Sequence, residues 1–365
     1  MKEYIPREFR AIYGKIIDDE RIRPEEGLML YNSNNPGLLG FLADIVRKRK
    51  NDDRAFFNRN FHIEPTNICI YNCEFCSYRK PAGSKGAWNY SAGEILDIVS
   101  RFDDKPVTEV HIVGGVHPDH TIDYYCRMLQ MIRDHRPGLH IKAFSAIELE
   151  YIISKSGLSI REGLLKLKEC GLGSIPGGGA EIFDEKIRAI ICKDKSSSAM
   201  WLKIHEEAHR AGIPSNATIL YGHMETYEHR IDHMVRLRKL QDRTGGFNSF
   251  IPLKFRKENN RMRKFGEVNI IEDMKNYAVS RIFLDNFPHI KAYWPALGKE
   301  ATQLALSFGV DDVDGTIDDT TKIYSMAGAE DRNPSMTTED ICSLIREAGF
   351  KPVERDTLYN VVKEW

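Results

Sequence analysis

Three cysteines fall within eight positions of "CIYNCEFCSYR" (residues 69–79). They are Cys69, Cys73 and Cys76, spaced C-x3-C-x2-C. Thiolates at this spacing hold one of two kinds of site. A structural zinc is closed by four ligands, so the zinc reading needs a fourth partner, and His111 and His117 are the candidates. A four-iron cluster that only carries electrons usually takes four cysteines. Held by three, such a cluster keeps one iron open, and an open iron can bind a substrate directly. The amino and carboxylate groups of S-adenosylmethionine (SAM) suit that position. An electron entering the sulfonium then breaks the bond to the 5′-carbon and yields a 5′-deoxyadenosyl radical.

Composition narrows the field. The chain has 365 residues, 42% apolar and 29% charged, with a formal charge of −1. That is ordinary for a globular enzyme, and the dispersed basic residues argue against a nucleic-acid partner. No apolar run approaches the length of a membrane span. The start, "MKEYIPREFRAIYGKIIDDE", has no signal-peptide core. Seven cysteines in such a chain point to a cytoplasmic protein and not to a disulfide scaffold. Cys126, Cys170, Cys192 and Cys342 stand singly and read as small buried residues.

The elements that must position the thiols follow from periodicity. Residues 1–55 read as a helical extension. From Phe61 short apolar runs alternate with amphipathic stretches, predicting strands at 61–66, 109–115, 140–146, 173–178, 215–221, 249–255, 289–294 and 309–315. Eight strands separated by helices predict a parallel sheet closed into a (β/α)8 TIM-type barrel over 56–319, with a doubly wound open sheet as the alternative. A short α/β tail occupies 320–365. The cysteine loop follows the first strand, at the face where barrel active sites are built.

Alternation along the strands says what fills the lumen. In the first strand Phe61, Ile63 and Pro65 share one face, which turns His62, Glu64 and Thr66 inward. In the sixth, an outward Ile251, Leu253 and Phe255 would aim Lys254 and Arg256 into the lumen. Lys291 and Tyr293 in the seventh, and His111 in the second, also point inward. Charged groups there are costly unless paired or used. One reading is an internal salt bridge of Glu64 with Lys254 or Arg256. The other is an anionic substrate, with a carboxylate on Arg256.

Phe75, just before the last cysteine, completes a motif that resembles the cluster motif of the radical SAM superfamily. The likeness extends over about residues 25–362. "HIEPTNICIYNCEFCSYR", "HIVGGVHP", "PGGGAEIFDEKIRAIICKDK", "ILYGHMET", "FIPLKFRKENN" and "YWPALGKEATQLALSFGVDDVDGTI" resemble the branch that holds the menaquinone (futalosine-route) enzymes and the deazaflavin FO synthase. Within it, "HIEPTN", "AEIF" with Cys192, Lys254 and Arg256 in "PLKFR", and "DDVDGT" with Asp314 are most similar to the aminofutalosine synthase family. The resemblance implies a 4Fe–4S cluster on Cys69, Cys73 and Cys76, and SAM consumed as a co-substrate. Phe75 would lie near its adenine. Gly114 and Gly115 would contact its methionine amino group, and Ser145 and Glu148 its ribose; helix capping explains the last two equally well. The implied substrate is a dicarboxylate, 3-[(1-carboxyvinyl)oxy]benzoate, bound by Lys254, Arg256 and Tyr293. The adenosyl radical adds to its vinyl carbon, the aryl group migrates, carboxylate is lost and 6-amino-6-deoxyfutalosine forms. Glu64 and His223 are the candidates for proton transfer, with a loop-capping role the bland alternative for His223. An electron donor such as flavodoxin or ferredoxin is implied as partner. A hydrogen-abstracting cyclase of the same branch and a non-enzymatic iron–sulfur or zinc protein are the competing functions.

Overall fold

The computed structural model describes residues 2–316, 322–329 and 334–365. Its strands are β1 (Arg54–Asn58), β2 (Asn60–Ile63), β3 (Glu109–Ile112), β4 (His140–Ala143), β5 (Ser215–Tyr221), β6 (Phe247–Lys254), β7 (His289–Ile290), β8 (Asp312–Gly315), β9 (Lys351–Arg355) and β10 (Val361–Glu364). β2, β3 and β4 pair in parallel order, as do β5, β6 and β7. Single bridges join the two groups: Lys142 to Ser174 and Ile175 to Ser215 on one side, Lys291 to Asp312 on the other. β8 then pairs with β1. β1 and β2 are one extended run interrupted at Arg59, so the ring closes as an eight-position (β/α)8 barrel.

Several expected strands are shorter than their apolar runs. The fourth, 173–178, shrinks to the bridges at Ser174 and Ile175. Pro176 has no N–H for a ladder, and three glycines follow it. The seventh keeps only His289–Ile290, because Trp294–Leu297 turns into a helix with proline in its first turn. β1 starts at Arg54, within the last two residues of the stretch read as helical, and runs on into the expected barrel. Its burial pattern is nearly continuous because it is covered on both faces.

The crossover helices start where their sequences say they should. Ser91–Glu94, Ser145–Glu148 and Ser159–Glu162 each form a reciprocal capping box. The N-terminal helices Pro24–Tyr31 and Pro36–Asn51 each begin with proline and pack outside the barrel, on Tyr227–Thr244 and Ile270–Phe283 respectively. One hydrophobic cluster runs from Ile5 to Ile345, so extension, barrel and tail share a core.

The tail reaches the bottom of the barrel. After the helix Thr338–Glu347, β9 pairs in parallel with β1. Arg355 Nε donates to Asp312 Oδ2 at 2.6 Å, and Thr357 Oγ1 donates to Glu109 Oε2 at 2.7 Å. Tyr359 stacks on His289 at 3.7 Å. Among the described residues no helix is long and apolar enough to cross a membrane.

Candidate active site

The cysteine loop leaves the C-terminal end of β2 and is clamped to the end of β3. Ile70 N–H donates to Val116 O at 3.0 Å, and Gly115 N–H to Thr66 O at 2.7 Å. The approach is so close that a Cβ on Gly115 would sit 2.3 Å from Ile68 O, and one on Gly114 2.8 Å from Thr66 O. Both glycines are therefore required by backbone packing against the thiol loop, whatever else they touch. Glu74 N–H donates to Ile191 O at 2.8 Å and fixes the loop's other side.

Cys73 is buried and Cys69 and Cys76 half-buried, all as free thiols. Burial pushes the Cys73 thiol up to about 12, against the pull of the nearby Lys195 ammonium. Lys195 Nζ is 2.8 Å from Glu181 Oε1 and 5.2 Å from the centre of the Phe75 ring. Burial works against its charge, but Cys73, Glu181 and Cys192 hold it well above the ordinary lysine value. The two histidines considered as zinc ligands form no metal-holding group with the thiols among the described residues. His111 packs on His62 at 4.5 Å and His117 stacks on His120 at 4.3 Å. Among the described residues no group of three His, Cys, Asp or Glu side chains is placed to hold a single metal ion. Three thiols on one loop are a donor set for an iron–sulfur cube with a free corner.

Cys76 borders a cavity of about 270 Å³ inside the barrel. Its walls include Val113, Pro176, Ile251 and Leu253. Glu148 and Ser145 also line it, and their reciprocal cap is what the geometry displays: Ser145 N–H and Oγ both donate to Glu148 Oε2 at 2.7 Å. Glu148 Oε1 accepts from Gly114 N–H at 3.2 Å. Burial nevertheless lifts the Glu148 carboxyl to about 7, against the hydrogen bonds from Ser145 and Gly114.

Deeper in the cavity His62, His111 and Tyr293 cluster, with His62 parallel to Tyr293 at 6.3 Å. Burial, with His62 and Lys142 adding, keeps His111 neutral, well below the ordinary histidine value. Two buried ammonium groups stand with them. Lys142 Nζ is 2.6 Å from Glu109, and Lys291 Nζ is 3.4 Å from Asp314 and 3.9 Å from Asp312. Glu64 faces the same cavity. Its carboxylate accepts backbone N–H groups of Lys322 at 3.0 and 3.1 Å and of Ile323 at 3.3 Å.

Three expected site residues are turned elsewhere. Lys254 points out to the helix layer, where Nζ meets Asp273 Oδ2 at 2.7 Å. β6 has the opposite facing to the one its pattern suggests: Ile251 and Leu253 line the cavity, while Pro252 O accepts from Tyr277 OH on the outer helix. Lys254 and Arg256 marked one face as polar, but the cavity wall here is apolar, so the contrast pointed to the wrong face. Arg256 lies beyond β6, with Nη1 3.4 Å from Glu267 and Nη2 donating to Gly328 O at 3.0 Å. Neither cation pairs with Glu64 among the described residues. His223 is folded into its own loop. Nε2 is 3.1 Å from Leu220 O, and Nδ1 lies 3.2 Å from Glu225 without hydrogen-bond alignment. Burial depresses its basicity.

Sequence reasoning passed over Lys142, although "HIKA" alternates and places it on the inner face. Glu181, Lys195 and Tyr324 had no local signal. They meet the cavity only through the fold.

A closed parallel barrel whose lumen opens onto a three-thiol loop at the strand C-termini defines a class of barrel enzymes that build radical chemistry beside an iron–sulfur cluster. Residues 63–237 match the radical SAM superfamily, and residues 244–364 match the CofH/MqnC C-terminal region. The chain belongs to the radical SAM superfamily. It is 42% identical over 358 residues to the aminodeoxyfutalosine synthase of Thermus thermophilus, covering 97% of this chain and 96% of the relative. It is 39% identical over 325 residues to the 5-amino-6-(D-ribitylamino)uracil–L-tyrosine 4-hydroxyphenyl transferase of Archaeoglobus fulgidus, covering 88% and 92%. Crystalline methylornithine synthase has the same fold, with TM-score 0.73 at 18% identity over 93% of this chain and 96% of that one. The protein is thus a radical SAM enzyme that works with a 4Fe–4S cluster and SAM.

Proposed function

We propose that this enzyme is an aminodeoxyfutalosine synthase. It joins the adenosyl carbon of SAM to 3-[(1-carboxyvinyl)oxy]benzoate, with aryl migration and loss of carboxylate, on the route to menaquinone. One observation carries the reading: a single cavity extends from the Cys76 thiol to the buried ammonium groups of Lys142 and Lys291. The near full-length likeness to an aminodeoxyfutalosine synthase supplies the chemistry.

In this reading Cys69, Cys73 and Cys76 hold the cluster, and Glu148, Ser145 and Gly114 border the SAM side of the cavity. Bound there, the cluster and SAM supply a 5′-deoxyadenosyl radical. The protein's work is positional. Lys291, whose contacts to Asp314 and Asp312 are long, has donor capacity left for a substrate carboxylate. Lys142 adds positive potential beside it. Tyr293 and His62 offer ring faces to the aryl group, and the apolar wall of Val113, Ile251 and Leu253 excludes water. An electron donor such as flavodoxin or ferredoxin completes the system.

The test is anaerobic turnover with dithionite, the enolpyruvyl benzoate and SAM labelled at the 5′-carbon, followed by mass spectrometry. The label belongs in the large adduct. Label found only in 5′-deoxyadenosine while substrate is converted would assign the hydrogen-abstracting cyclase in its place. Cys69→Ala, Cys73→Ala and Cys76→Ala should each lose the cluster's iron and sulfide, and Cys192→Ala should keep both. Full iron content in any of the first three overturns the ligand assignment.

A further inference from the structure

Residues 322–329 form a strap across the top of the cavity. Ile323 and Tyr324 line it, and the Tyr324 ring lies 5.2 Å from that of Tyr293. At the strap's start, the Glu64 carboxylate takes the N–H groups of Lys322 and Ile323. The Lys322 ammonium sits 4.9 Å over the Trp88 ring, whose Nε1 donates to Glu64 O at 2.9 Å. The strap's other end is tied to the loop after β6. Asn259 Nδ2 donates to Met326 O at 2.8 Å, Glu258 N–H to Ala327 O at 3.1 Å, and Arg256 to Gly328 O. That loop in turn clamps the thiol loop. Ser77 Oγ donates to Glu258 O at 2.6 Å, and Arg261 meets Glu74 at 2.8 Å and Asn72 O at 2.7 Å.

We propose that Glu64 is a positioning residue: its carboxylate holds the Ile323–Tyr324 roof over the substrate cavity and carries no proton in the reaction. The roof hangs from the strand that leads into the thiol loop and from the loop that braces that thiol loop. Two backbone N–H groups on one buried carboxylate tie the start of the strap to β2's end. A roof that excludes solvent-borne hydrogen donors protects a carbon radical from premature quenching. The inference rests on the proposed reaction only for the identity of the substrate.

The test compares Glu64→Gln, whose amide oxygen still accepts, with Glu64→Ala in the full-length holoenzyme. The first arm is hydrogen exchange without substrate. In Glu64→Ala the amides of residues 322 and 323 should exchange roughly tenfold faster or more, with the barrel strands unchanged, whereas Glu64→Gln should stay near wild type. The second arm is turnover. Glu64→Ala should raise the share of SAM lost to free 5′-deoxyadenosine and the substrate KM, and Glu64→Gln should restore most of the coupling. Wild-type exchange at 322 and 323 in Glu64→Ala overturns the proposal. So does a Glu64→Gln enzyme with wild-type exchange that is as inactive as Glu64→Ala, because that is the signature of a proton carrier. The exchange arm needs no substrate, so its outcome stands even if the proposed reaction is replaced.

Discussion

Replacing Lys254 by methionine separates a structural cation from a substrate-binding one. Lys254 Nζ meets Asp273 Oδ2 at 2.7 Å, while Asp273 Oδ1 accepts from Tyr221 OH at 2.7 Å. Asp273 is buried, and burial raises its pKa even with Lys254 present. Methionine keeps the stem's packing and strands the carboxylate. Breaking a buried pair in this way costs roughly 3–5 kcal/mol, and the small exposure of Lys254 argues for the lower end, about 3 kcal/mol. An unfolding entropy of roughly 2.1 cal/mol/K per residue over 365 residues gives about 0.8 kcal/mol/K, so Tm should fall by about 4 °C. Differential scanning calorimetry reads that shift. Adding Asp273→Asn to the same chain should recover part of it, since the stranded charge is then gone. Steady-state kinetics should give an unchanged substrate KM. A strongly raised KM with wild-type Tm would refute the outward placement and return Lys254 to the substrate.

Gly115→Ala forces a methyl group onto the backbone of Ile68, which has no side-chain freedom with which to yield. About 1–3 kcal/mol of destabilisation and reduced iron uptake on reconstitution should follow, and wild-type iron content with wild-type Tm would show that the loop tolerates the shift. Glu148 gives a pH signature in SAM-free protein. Its folded value of about 7 exceeds the unfolded 4.5, so the folded state binds more protons in that window and stability falls as pH rises through it. The group contributes about 3 kcal/mol to that fall, and Glu148→Gln should flatten the profile from urea unfolding at pH 5, 6 and 7.5. Parallel profiles for the two proteins would remove Glu148 as the source.

What the sequence revealed tracks polarity contrast. In β2 the apolar Phe61 and Ile63 alternate with His62 and Glu64, and the inward facing of the polar pair is legible. Phe61 stacks on Phe102 outside, while His62 and Glu64 line the cavity. In β6, Phe250 and Pro252 oppose Ile251 and Leu253, so only the charge of Lys254 and Arg256 set a facing, and it set the wrong one. The deciding partner, Asp273, lies on a separate helix 19 residues on. The thiol motif is local in sequence and so was visible at once. The roof over the cavity was not, because Glu64 and Ile323 are 259 positions apart. The Gly114–Gly115 pair was visible, but its reason was hidden: what it accommodates is the backbone of the thiol loop itself.

The closure at the barrel floor has a consequence for how this protein is made. β1 cannot complete its pairing until β9 exists, and Glu109 waits for Thr357, 248 positions later. While the chain is still being synthesised, β1 is an open edge and Asp312 lacks its guanidinium partner. An unpaired edge of that kind is a template for association with other chains. Native pairings this distant also slow folding, since loop closure must precede the contacts that reward it. Full pairing of β1 therefore waits for the tail, although β8 can already close the ring on its other edge. Ribosome-bound chains with nothing beyond residue 350 outside the exit tunnel should remain protease-sensitive through β1 and β8, and chains with residue 359 held outside it by an added linker should become resistant. Equal resistance at both lengths would show that the first strands close without the tail.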